Sequence, residues 1–182
     1  MKITSTCIPD VKIIEPAIFR DKRGFFFETW QQTRFDNEIV PRSFVQDNLS
    51  GSIKGTLRGL HYQASAPQGK LVQVIVGEVF DVAVDIRKNS TTFGKWVGEV
   101  LSAENRKQLW IPEGFAHGFY VISKWAEFTY KCTDFYNPGS EQTIIWNDPD
   151  IGIKWPTPEG EQPIVSEKDS AGRLFKDAVY FE

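Results

Sequence analysis

Leu71-Val72-Gln73-Val74-Ile75-Val76-Gly77-Glu78-Val79-Phe80-Asp81-Val82-Ala83-Val84-Asp85-Ile86 is the stretch on which the fold turns. β-Branched residues dominate both halves, and Gly77-Glu78 between them supplies a turn or a bulge. In the second half Phe80, Val82, Val84 and Ile86 share one face, while Val79, Asp81, Ala83 and Asp85 share the other. The strand thus separates an oily side from a partly polar one, as expected of a sheet that lines a cavity.

Outward from this pair, alternation and turn residues predict further strands at 95–101, 107–111, 115–122, 125–132 and 142–146. Their spacing fits a mainly β sandwich or barrel. Helix is expected at 28–39, after an aromatic run, and following Ser166-Glu167-Lys168-Asp169, which has capping-box form. Pro149, Pro156, Pro158 and Pro163 mark an extended surface connector. No repeat interrupts the chain, and its 182 residues are read as one domain, 1–182, able to bury a core without metal or disulfide staples.

Composition narrows the function classes. With 21 Lys+Arg against 24 Asp+Glu, and a net charge of −3, there is no basic field for nucleic acid or an anionic membrane. The N-terminus lacks a signal-peptide apolar region and no stretch is long and apolar enough to span a bilayer, so a cytoplasmic location is expected. Cys7 and Cys132 form no C-x-x-C pair and are read as reduced thiols. Two histidines are too few for a three-histidine metal site.

Both histidines sit among glycines and aromatics: His61 in Arg58-Gly59-Leu60-His61-Tyr62-Gln63, His117 in Phe115-Ala116-His117-Gly118-Phe119. Each fits either a hydrogen-bonded structural role or chemistry. Upstream, Asp21-Lys22-Arg23-Gly24-Phe25-Phe26-Phe27-Glu28 offers a guanidinium for phosphate and rings for a base, or equally a hairpin with a solvated arginine. Gln46-Asp47-Asn48 supplies neutral amides, or a turn. Lys70 opens an apolar strand, either as an edge lysine or as a cation pointing inward to hold an enolate. Tyr130 shares the inward face of its strand with Ala126, Phe128 and Cys132, as a satisfied core phenol or as an acid facing substrate. Asp169 is either part of a helix cap or the carboxylate that orients an imidazole.

Taken in order, these segments, with Gln68-Gly69-Lys70-Leu71-Val72, Ile111-Pro112-Glu113-Gly114, Tyr130-Lys131-Cys132 and Tyr136-Asn137-Pro138, resemble the dTDP-4-dehydrorhamnose 3,5-epimerase family over nearly the whole chain. The resemblance implies a cupin-type jelly-roll β-barrel with a few short peripheral helices. It also implies an isomerase acting on a dTDP-4-keto-6-deoxy sugar without a cofactor or metal. By the same resemblance His61 is the general base, Asp169 its orienting carboxylate, Tyr130 the acid on the opposite sugar face, and Lys70 the enolate stabiliser. Arg23, Glu28, Gln46, Asn48, Arg58, His117, Tyr136, Glu141 and Lys168 are implied to bind substrate, with the Arg23–Glu28 segment donated across a homodimer. Phe135 stands where many family members carry another tyrosine.

The chemistry agrees with these residue types. A C4 ketone acidifies the protons at C3 and C5, and inversion needs removal on one face and return on the other. The same residues also fit a C3-only epimerase of an antibiotic-sugar pathway, or a non-catalytic cupin in which His61 and Tyr130 only hydrogen-bond a sugar nucleotide.

Overall fold

The computed structural model describes residues 1–182. Its strands are β1 (Lys2–Ser5), β2 (Lys12–Glu15), β3 (Phe19–Asp21), β4 (Gly24–Phe26), β5 (Gln46–Ile53), β6 (Leu57–Gln63) and β7 (Lys70–Val76). They continue as β8 (Glu78–Asp85), β9 (Trp96–Ser102), β10 (Gln108–Ile111), β11 (Phe115–Val121), β12 (Trp125–Cys132) and β13 (Glu141–Thr143). Helix α1 (Gln32–Glu38) lies between β4 and β5, and α2 (Glu167–Ser170) follows β13.

The strands form a six-stranded sheet, β1-β2-β10-β7-β12-β5, and a five-stranded sheet, β13-β6-β11-β8-β9. Val72 and Val74 of β7 and Phe128 of β12 meet Val79 and Ala83 of β8 and Phe119 of β11 in one buried cluster, so the sheets pack face to face. Enclosing Phe128 alone contributes about 1.5–3 kcal/mol. This is the mainly β, cupin-type architecture expected.

The two faces of β8 behave as their alternation predicts. Val82, Val84 and Ile86 pack outward beneath the C-terminal segment, with Ile144, Ile151, Trp155 and Phe181. Asp81 lies on the inward face with Val79 and Ala83, enclosed between the sheets. The outer face of the larger sheet is closed by Phe35 of α1 against Ile14, Leu71 and Trp110.

Three expectations need correction. The helix expected at 28–39 is shorter, because Gln31 caps it by accepting from the Arg34 amide, and Thr29 is held outside by Gln108, whose side chain donates to the Thr29 carbonyl at 2.6 Å. The strand expected at 142–146 is Glu141–Thr143, with Ile144 reduced to an isolated bridge to Arg173. The proline-rich connector is extended, yet it is anchored: Ile151 is buried and the Trp155 indole donates to the Trp146 carbonyl at 2.9 Å.

Candidate active site

The site begins with two strands that approach unusually closely. His61 on β6 and His117 on β11 are direct register partners, with an irregularity between His117 and Phe119. Two glycines permit it: a Cβ on Gly59 would stand 2.6 Å from the Gly118 Cα, and one on Gly118 would stand 2.7 Å from the Arg58 carbonyl oxygen. Gly59 has φ of +131°, a conformation L side chains rarely adopt.

Asp169 reaches His61 from α2, across 108 residues of sequence. The Ser166 hydroxyl caps this helix, accepting from the Asp169 amide at 3.1 Å, so the cap and the imidazole partner are both realised in one motif. The Asp169 carboxylate meets His61 Nε2 at 2.5 Å and accepts from the Gly59 amide at 3.4 Å. Burial pushes the Asp169 carboxyl up, but the His61 hydrogen bond and charge, with the Gly59 and Ser166 bonds, outweigh it and hold the group below the ordinary carboxylate value. A second pair stands beside the first, His117 Nε2 against Asp81 at 2.8 Å, both residues buried.

The facing sheet supplies the other groups. Lys70 opens β7 and Tyr130 lies near the end of β12, and both line the same cavity of about 370 Å³ as His61 and His117. Burial pushes the Lys70 ammonium down and the Tyr130 phenol up, each toward its neutral form. Asn48 of β5 is the register partner of Tyr130; its amide donates to Cys132 Sγ at 3.6 Å and accepts from Gln46 at 3.0 Å.

Arg58, Tyr136, Glu141 and Lys168 also line the cavity. Glu141 accepts from Lys168 Nζ at 2.9 Å and from the Tyr136 hydroxyl at 3.0 Å. Burial raises the Glu141 carboxyl, yet these two bonds bring it below its usual value. Three cations, Lys70, Arg58 and Lys168, thus share a cavity walled by Phe119 and Phe128, an arrangement suited to an anionic ligand with an apolar or sugar-ring portion.

Two expected binding residues are not brought to this cavity within one chain. Arg23 stands on the exposed β3–β4 hairpin and pairs with Asp21 at 2.6 Å, while Glu28 pairs with Arg34 at 2.8 Å. The hairpin exposes Phe19 and Phe26 by 65% and 70%. Conversely, Asp81, Gln63 and Ser50 belong to the site or its support without having been singled out. Asp81 could be read from the polar face of β8; Gln63 and Ser50 carry no pattern beyond strand parity. No group of three or more His, Cys, Asp or Glu side chains is placed to hold a metal ion, and no helix is long and apolar enough to cross a membrane.

Residues 5–177 match the family model described as dTDP-4-dehydrorhamnose 3,5-epimerase. The chain is 57% identical over 182 residues to the dTDP-4-dehydrorhamnose 3,5-epimerase of Pseudomonas aeruginosa, covering 100% of this chain and 99% of that protein. It is 59% identical over 178 residues to the protein of the same name from Neisseria gonorrhoeae, covering 98% of this chain but 54% of that longer relative. Among solved structures it resembles the dTDP-6-deoxy-D-glucose-3,5-epimerase of Legionella pneumophila in complex with dTDP-4-keto-L-rhamnose, with a TM-score of 0.94 and 56% identity over 97% of this chain and 93% of that one.

Proposed function

The chain belongs to the dTDP-4-dehydrorhamnose 3,5-epimerase family, and from that premise we propose that it inverts C3 and C5 of dTDP-4-dehydro-6-deoxy-D-glucose, yielding dTDP-4-dehydro-L-rhamnose. The observation that carries this reading is the placement of His61, held by Asp169 of α2, on one sheet, with Lys70 and Tyr130 on the sheet that faces it across a single cavity. Epimerisation needs such opposition, because a proton taken from one face of the sugar must return to the other.

In this mechanism His61 removes the proton α to the C4 ketone through Nδ1, the nitrogen not held by Asp169. Asp169 fixes the imidazole and stabilises its protonated form. The electrons of the broken C–H bond move onto the ketone oxygen, where the Lys70 ammonium offsets the enolate charge. Tyr130 returns a proton from the opposite side, a task to which its neutral phenol is suited. Once His61 has released its proton to solvent and Tyr130 has regained one from it, repetition at the second carbon completes the inversion, and the same exchange resets the site afterwards. Only protons move, so the reaction balance requires no oxidant or reductant.

Binding falls to the remaining residues. Arg58 and Lys168 meet the diphosphate, Gln46, Asn48 and His117 meet oxygens of the sugar and phosphates, and Tyr136 with Glu141 closes the mouth. Arg23 and Glu28 act from a second copy of the chain in a homodimer, a reading supported by their distance from the cavity of their own chain and by the exposed phenylalanines of the hairpin. The whole of 1–182 works as one domain, and the two free cysteines fit the reducing cytoplasm.

Trapping the product tests the reading. With the 4-keto-6-deoxyglucose nucleotide as substrate and a 4-keto reductase to fix the stereochemistry, the reduced sugar is expected to be L-configured. Recovery of only the D-configured sugar would defeat the proposal, and recovery of a sugar inverted at C3 alone would make this a single-site epimerase.

A further inference from the structure

Gln46, Asn48 and Cys132 are joined in a chain of hydrogen bonds along one wall of the cavity, and the mechanism above gives no reason for the direction in which it runs. Strand pairing assembles it: Tyr130 and Cys132 of β12 are register partners of Asn48 and Gln46 of β5, so alternation turns all four side chains to one face. The Tyr136 backbone amide donates to Gln46 Oε1 at 2.8 Å, Gln46 Nε2 donates to Asn48 Oδ1 at 3.0 Å, and Asn48 Nδ2 donates to Cys132 Sγ at 3.6 Å. Cys132 is buried, whereas Gln46 and Asn48 line the cavity.

A carboxamide fits its place in two orientations that exchange donor for acceptor, and its neighbours decide between them. A backbone N–H can only donate, so the Gln46 atom that faces Tyr136 is the oxygen. That turns the Gln46 nitrogen toward Asn48, whose facing atom is therefore its own oxygen. The Asn48 nitrogen is left toward Cys132, where sulfur serves as a weak acceptor. Burial holds the Cys132 thiol toward its neutral form, so the acceptor brings no charge. Each link forces the next. Both amide oxygens accept within the chain, and each amide keeps one N–H that the chain does not use.

We propose that this chain is a polarity relay, in which the Tyr136 backbone amide and the Cys132 thiol commit Gln46 and Asn48 to present N–H to the ligand, and that Cys132 is thereby a positioning residue for Asn48. The two unused N–H groups belong to a wall that also holds Lys70, Arg58 and Lys168. Together they make a subsite of donors, suited to the acceptor-only oxygens of a diphosphate or a ketone. Neutral donors fixed in direction strengthen such binding without burying another charge. The relay also ties the subsite to the mouth of the cavity, because Gln46 is turned this way only while the Tyr136 backbone stands beside it. Tyr136 is itself held by the bond from its hydroxyl to Glu141 at 3.0 Å.

This inference rests on the reading of Gln46 and Asn48 as substrate-binding residues, and its test separates the two. The full-length protein labelled with 15N-asparagine is titrated by NMR with dTDP-glucose, a nucleotide sugar without the 4-keto group that turnover requires. The Asn48 side-chain signals are identified by their loss in Asn48→Ala. One of the Asn48 amide protons is expected to move downfield as a ligand oxygen takes it up, while the proton donated to sulfur stays in place. In Cys132→Val, of similar size but without an acceptor, that second proton should be displaced even in the free protein. The same variant should lower kcat/KM for the 4-keto sugar about three- to tenfold, the usual worth of a neutral hydrogen bond. Cys132→Ser keeps an acceptor and should hold kcat/KM within about twofold of wild type. Equal losses in the Val and Ser variants, or none in either, would overturn the proposal. Should Cys132→Val fail to fold, the wild-type titration decides alone: amide protons that shift together, or that both stay, overturn it. If Asn48→Ala leaves the affinity for dTDP-glucose unchanged, the binding role of Asn48 itself fails; if it weakens binding and Cys132→Val changes nothing, only the relay fails.

Discussion

His61 presents one nitrogen to Asp169 at 2.5 Å and leaves the other to the cavity, so its orientation is fixed by a residue 108 positions away. His61→Asn is expected to lower kcat about 10²–10⁴-fold, the usual worth of a positioned general base. Nucleotide binding, read by calorimetry with dTDP, should persist, because Arg58 and Lys168 are untouched. Loss of both folding and binding would return His61 to a structural role. Asp169→Asn should fall in the same direction on kcat. Much of this was legible at the level of single residues: glycine and aromatic neighbours marked both histidines, and strand parity turned Tyr130 inward. The His61–Asp169 contact was not, because Ser166 to Asp169 reads equally well as a helix cap, and the fold uses it as both.

At the scale of elements, the closeness of β6 and β11 is what sets His61 beside His117. Gly118→Ala would drive a Cβ to 2.7 Å from the Arg58 carbonyl, backbone that cannot swing aside. A cost of about 1–3 kcal/mol is expected from such overpacking, visible as a lowered denaturation midpoint together with reduced kcat. Wild-type stability with full activity would show that the approach is not needed.

At the end of β8, Asp85 is held by Arg87, Ser90 and Thr92. Burial alone would raise its carboxyl, but these bonds bring it from 3.8 down to about 2. A lowered folded-state value means stabilisation that is fully present above 3.8 and lost as pH falls from 3.8 toward 2. Asp85→Asn should therefore cost about 2 kcal/mol at neutral pH. The deficit should narrow as the pH of chemical denaturation is lowered through that window; a deficit independent of pH would contradict it.

The central strands were legible because their alternation places apolar residues inward. β5 was not, because its pattern is reversed: Gln46, Asn48 and Ser50 line the cavity, while Leu49 and Ile53 are exposed. A strand that feeds a polar site imitates a polar loop in sequence. β1 and β2 are four residues each, too short for periodicity to declare them.

For the molecule as a whole, the two sheets put His61 and Tyr130 on opposite walls of one cavity, while the hairpin carrying Arg23 stands apart from it. If a second copy supplies Arg23, two defective proteins can rescue each other. Arg23→Ala and His61→Asn, each impaired alone, are expected to regain activity on mixing, since one site of the hybrid dimer holds both native residues. No regain under conditions where subunits exchange, or a monomeric mass by light scattering, would contradict the shared site. The sheet architecture could be read from strand spacing and alternation. An assembly cannot be read that way, since exposed aromatics do not by themselves say what covers them.

The account as a whole stands on double enolisation across that cavity. Its most direct test is proton NMR of the dTDP-linked 4-keto-6-deoxyglucose with the wild-type protein in deuterated buffer, following the C3 and C5 signals over time. Loss of both signals is predicted. Persistence of both would contradict the account.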